Sequence, residues 1–106
     1  MDSSSESVVV ESVGGRLDVT TCVEVAARLR ARIVAGPARI VLRLADLEFI
    51  DSSGLGMLVG LQKELAATGG RLVLCEVPPQ ARMALRLTRL EWLLPCLDTF
   101  EEALAA

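Results

Sequence analysis

Asp51, Ser52 and Ser53 stand in a row between the apolar pair Phe49-Ile50 and a helical pattern that begins near Leu55. Each is a good N-cap residue, because its side-chain oxygen accepts from N–H groups that a first helical turn leaves unpaired. Capping needs only one of the three. The chemistry open to a serine at a helix mouth is that of a phosphoacceptor, since the positive end of the dipole and free N–H groups favour an added phosphate. Acyl transfer fits poorly: the 106 residues include no histidine to act as base, and Asp51-Ser52-Ser53-Gly54 is not a G-x-S-x-G elbow. Nucleotide cradling fits poorly too, because there is no Gly-rich phosphate loop and Lys63 lies too far along the helix. An enzyme is therefore not expected. Without imidazole most zinc and iron sites are removed as well, so neither a metal nor another cofactor is expected. Cys22, Cys75 and Cys96 form no C-x-x-C pair and are odd in number, which suits reduced, buried thiols in a cytoplasmic protein.

The elements that must position this segment read as an alternation. Val8 to Val13 is a β-branched run ended by Gly14-Gly15, hence a strand and a bend. Cys22, Val25, Ala26, Leu29 and Ile33 share one helical face, which predicts a helix from about Thr21 to Ala35. Thr20 or Thr21 is its expected cap, and Glu24 and Arg28 stand in the favourable order for an ion pair. Arg39 to Leu44 and Arg71 to Cys75 are short branched runs of buried-strand type. Between them a helix from about Ser53 to Thr68 turns Leu58, Leu61 and Leu65 inward, with Leu55 and Val59 flanking. Its other face presents Gly56, Gly60, Lys63 and Glu64, with Met57 at the margin. Two interior glycines cost roughly 1 kcal/mol each relative to alanine, so they imply close approach by something, either a docking partner or a packed neighbour.

Pro78-Pro79 opens a third helix, with Met83, Leu87 and Leu90 as the expected apolar stripe and Arg82, Arg86 and Arg89 as a solvated one. Trp92 to Leu97 reads as a short edge strand containing Pro95. The run from Asp98 to Glu101 has capping-box spacing for a last helix that carries Phe100 and Leu104 inward. The fold class is α/β, a small mainly parallel sheet of about four strands with about four helices. Residues 1–7 are expected to be a disordered Ser-rich tail and residues 8–106 one domain. The formal charge is −3 and the eleven basic residues are scattered, so nucleic acid is not an expected partner. No apolar run has the length of a membrane span and the polar start is unlike a signal peptide, so a membrane is not expected either.

The stretch Leu47-Glu48-Phe49-Ile50-Asp51-Ser52-Ser53-Gly54-Leu55-Gly56, the Gly15-Arg16-Leu17-Asp18 turn and the Gly69-Gly70 link into Leu72-Val73-Leu74 resemble the STAS domain. Specifically, they resemble the single-domain anti-sigma factor antagonists. The resemblance implies a partner switch: the antagonist binds an anti-sigma factor that is also a serine kinase, is released when Ser52 is phosphorylated, and is reset by a serine/threonine phosphatase. Carried over by position, Asp51 flanks the acceptor, Ser53 and Gly54 form the turn that presents it, Gly56, Met57 and Gly60 form the docking groove, and Asp18 lies at the rim. An alternative within the family is an unphosphorylated scaffold or sensor subunit of a stress or transport assembly. Family members carry a further N-terminal strand that looks shortened or missing here, and the edge so exposed suggests a homodimer.

Overall fold

The computed structural model describes residues 7–33 and 37–106. In chain order the elements are β1 (Ser7–Ser12), β2 (Gly15–Leu17), α1 (Cys22–Arg30), β3 (Ala38–Arg43) and β4 (Leu47–Ile50), then α2 (Ser52–Ala66), β5 (Arg71–Cys75), α3 (Pro79–Leu87), β6 (Cys96–Leu97) and α4 (Phe100–Ala105). The main sheet has the order β1-β3-β5-β6 with every neighbour parallel, and β2 and β4 form a separate parallel pair. The α/β class and four helices agree with expectation. So does the parallel sheet of four strands, whereas the separate β2–β4 pair is additional, its strands being three and four residues long and too short to show a period. A strand preceding β1 would fall on residues 1–6, outside the described residues. Most of the expected tail lies there too, but Ser7 belongs to β1.

Alternation along β3 and β5 divides the core between two faces of the sheet. Ile40, Leu42, Leu72 and Leu74 pack with Leu29 of α1, Leu58, Leu61 and Leu65 of α2, and Ala81 and Leu85 of α3. Val41, Val73 and Cys75 pack on the other face against Ala103 of α4, with Leu97 and Phe100 at its margin. Leu72 sits where β6 is too short to pair. There the buried Gln62 amide accepts from Leu72 N–H at 2.7 Å and donates to the carbonyls of Leu72 (3.0 Å) and Leu93 (2.8 Å), fixing α2 to the sheet.

Several local expectations are corrected. α1 ends at Arg30, and the rest of its expected length leads into residues 34–36, outside the described residues. Its N-cap Thr21 makes no side-chain cap bond, and Arg28 turns to the Ser12 carbonyl and Glu11 rather than to Glu24. In α3 Ala81 and Leu85 face the core, so Met83 and Leu87 of the expected stripe are exposed and only Leu90, just past the helix, packs against it. Trp92 lies in a turn, 80% exposed, and only Cys96–Leu97 pairs as strand. The capping box joins Thr99 to Glu102, which turns Ala103 inward and leaves Leu104 partly exposed. Of the thiols, Cys75 is buried and Cys22 and Cys96 are half-buried.

Candidate partner-binding site

The small β2–β4 ladder assembles the site. Leu17 pairs with Ile50, and Asp51 N–H donates to the Leu17 carbonyl at 3.2 Å. The residues that follow each strand, Asp18 and Asp51, therefore emerge side by side. Two sequence motifs more than thirty positions apart become one surface through this pair of strands.

Asp51 is the N-cap of α2. One carboxylate oxygen accepts from Ser53 N–H at 2.9 Å and Gly54 N–H at 3.1 Å, and its extended backbone (φ −116°) turns the chain into the helix. Ser52 is the first helical residue and is exposed, with no hydrogen bond to its hydroxyl among the described residues. Ser53 is half-buried. The amides expected to be free for a phosphate are thus already held by Asp51. Gly54 is buried, and a Cβ there would come within 2.4 Å of the Leu17 carbonyl oxygen. It presents no surface to a partner; it lets α2 start directly against β2.

Asp18 is largely turned into its own loop. Its carboxylate accepts from Thr20 Oγ1 at 2.7 Å, Thr20 N–H at 2.9 Å and Arg16 Nε at 3.0 Å. Those donors, the Thr20 hydroxyl foremost and then Arg16, hold its pKa down at about 2. Thr21 Oγ1 accepts from Asp18 N–H and donates to the Arg16 carbonyl, tying the turn together. Beside it the Arg16 guanidinium lies 4.2 Å from the centre of the Phe49 ring. That pair, on register-matched positions of β2 and β4, was not foreseen because neither strand was.

Along α2, Gly56 is exposed while Met57 and Gly60 are half-buried, and a Cβ built at either glycine meets nothing within 4 Å. Packing inside the molecule is therefore not the reason for the glycines. Arg30 of α1 grips Glu64 of α2 at 2.6 Å, and each residue lies near the C-terminal end of its helix. The two helices thus run alongside in the same direction, and Val19 and Val23, 68% and 76% exposed, stand at the same end as Ser52. Val23 lies off the buried face of α1, so its exposure is readable from helical spacing alone. No described helix is long and apolar enough to cross a membrane, and no described group of three His, Cys, Asp or Glu could hold a metal.

The model of the STAS domain matches residues 3–103. An anti-sigma F factor antagonist of Lysinibacillus sphaericus is 31% identical over 104 residues, covering 96% of this chain and 86% of the relative. The solved anti-sigma factor antagonist SpoIIAA in its unphosphorylated form superposes with a TM-score of 0.77 at 29% identity, over 97% of this chain and 90% of that one. A sulfate transporter family protein from Wolinella succinogenes shares the fold, with a TM-score of 0.78 at 22% identity over 92% and 82% of the two chains. With the family model, these relatives and the backbone in agreement, this chain belongs to the STAS domain family, beside its anti-sigma factor antagonists.

Proposed function

We propose that this protein is a cytoplasmic binding partner of an anti-sigma factor that is also a serine kinase, and that phosphorylation of Ser52 dissociates the pair. A serine/threonine phosphatase restores the binding form. The observation that carries this reading is the division of labour at the helix mouth: Asp51 takes the Ser53 and Gly54 amides, leaving the Ser52 hydroxyl exposed and unbonded on the first turn. Gly56, Gly60 and Met57 continue from Ser52 along α2 as a low surface onto which a partner can close, with Val19, Val23 and Phe49 as exposed apolar contacts. Asp18, Ser53 and Gly54 support that surface from below.

Phosphate on Ser52 adds about −1.5 to −2 charge. The Ser53 and Gly54 amides are already taken by Asp51, so the charge remains on the surface that the partner must cover. Desolvating it, or opposing it with a like charge, costs several kcal/mol, and about 1.4 kcal/mol is tenfold in affinity. The test is intact-mass and peptide mapping after incubation with the cognate kinase. Ser52→Ala should bind the kinase and take up no phosphate, whereas Ser52→Asp should bind weakly with an unchanged fold. Incorporation that survives Ser52→Ala and disappears in Ser53→Ala would transfer the site to the neighbouring serine.

A further inference from the structure

Among the described residues the main sheet ends on β1, which pairs only with β3. Two hydrogen bonds fix which way its backbone groups point. Ser7 N–H donates to the Pro37 carbonyl at 3.2 Å and Val13 N–H to the Arg43 carbonyl at 3.0 Å. Strand groups alternate in direction, so odd-numbered residues turn N–H and C=O toward β3 and Val8, Val10 and Ser12 turn theirs to the outer edge. The Ser12 carbonyl agrees, because it accepts from Arg28 Nη2 at 2.8 Å. Arg28 therefore closes one end of the edge and leaves Val8 and Val10 beyond its reach. Their side chains, 46% and 38% exposed, lie on the sheet face away from α1 and α2. A β-branched edge with no proline or lysine is a template for another strand.

We propose that β1 pairs antiparallel with β1 of a second copy, about a two-fold axis passing at Val9. The same observations select the register. Hydrogen-bonded antiparallel pairs require outward-facing residues on both strands. An axis at Val10 would set Val8 against the partner's Ser12, whose carbonyl is already occupied by Arg28. An axis at Val8 would set Val10 against residue 6, outside the described residues, and leave Val8 facing its own symmetry mate as the one described outward pair. The axis at Val9 sets Val8 opposite the partner's Val10 and Val10 opposite the partner's Val8, so both edge valines of each chain are paired, while Ser12, capped by Arg28, is not needed. It also brings the exposed valines together on one face and places Glu11 opposite the partner's Ser7 rather than against a like charge. An interface of this type is isologous and closes at two copies. α2 packs over β4, β5 and α1, so the dimer leaves Ser52 open.

The experiment is sedimentation equilibrium of the full chain from about 10 µM to about 1 mM, a range suited to a small, weak interface. Wild type should move from one mass toward twice that mass as concentration rises. Val8→Glu or Val10→Lys alone should weaken the dimer by about tenfold or more, because each change falls at two symmetry-related contacts. The double variant Val8→Glu/Val10→Lys should regain association, since each glutamate then faces the partner's lysine. Circular dichroism checks that these exposed positions leave the fold intact. Wild type that stays monomeric throughout overturns the proposal, as do single variants that associate like wild type. Slow exchange of the Val8 and Val10 amides at every dilution also overturns it, because the edge would then be covered from within the chain.

Discussion

At the level of single residues the site depends on which oxygen takes which proton donor. Residue types mark a helix mouth at Asp51, Ser52 and Ser53 but leave open which of the three caps it; in the structure the cap is Asp51, whose carboxylate accepts from the N2 and N3 amides. Asp18 was named as a rim residue, but its three local donors were hidden, since Thr20 and Arg16 read equally well as a cap and a surface cation. Its depressed pKa has a consequence for stability. The folded value of about 2 lies below the ordinary 3.8, so the unfolded chain takes up the proton first as pH falls. The stabilisation from charged Asp18 is therefore complete above the unfolded value, declines between about 3.8 and about 2, and is absent below. Urea unfolding of wild type and Asp18→Asn across that window should show the difference between the two proteins shrinking as pH falls. A difference that stays constant would mean that the carboxylate charge contributes nothing.

At the level of elements the long pieces were legible and the short ones were not. The inward leucines of α2 and the apolar runs of β3 and β5 carry strong periods, whereas β2 and β4 are too brief to do so and yet bring the two motifs together. Nor did α3 follow the expected rotation, because its buried face carries Ala81 and Leu85 while Met83 is exposed. The glycines of α2 separate into two kinds on the same physical test. At Gly56 and Gly60 a Cβ meets open space, so Gly56→Ala and Gly60→Ala should each stabilise the free protein by about 1 kcal/mol through helix propensity. If the proposed docking surface is the binding face, the same methyls should weaken binding of the proposed kinase partner. Gly54→Ala should instead destabilise, because its methyl collides with the Leu17 carbonyl. Denaturant midpoints and binding titrations on the three variants check this. A Gly60→Ala protein that is more stable and binds the kinase as well as wild type would remove Gly60 from the interface.

On the scale of the whole molecule the question is whether the switch moves the fold or only its surface charge. α2 is held along its length by the leucine row against the sheet, by Gln62 bonded to Leu72 and Leu93, and by Arg30 on Glu64. Ser52 sits at the end of this braced helix, and its hydroxyl makes no hydrogen bond among the described residues. Adding a phosphate there breaks nothing, so the free protein should keep its structure and most of its stability. On the proposed mechanism release then comes from charge on a covered surface, beside Asp51 and on a chain whose formal charge is already −3. Such a mechanism has a salt signature. The Debye length falls from about 10 Å at 0.1 M to about 3 Å at 1 M, so like-charge repulsion across the interface weakens while desolvation does not. Titrating the kinase with Ser52→Asp and with wild type at rising salt should show the affinity gap between them narrowing. Amide chemical shifts of the free Ser52→Asp protein should differ from wild type only near the start of α2 and the turn after β2. A gap independent of salt, together with shift changes reaching β5 and α4, would instead mean that phosphorylation acts by remodelling the sheet.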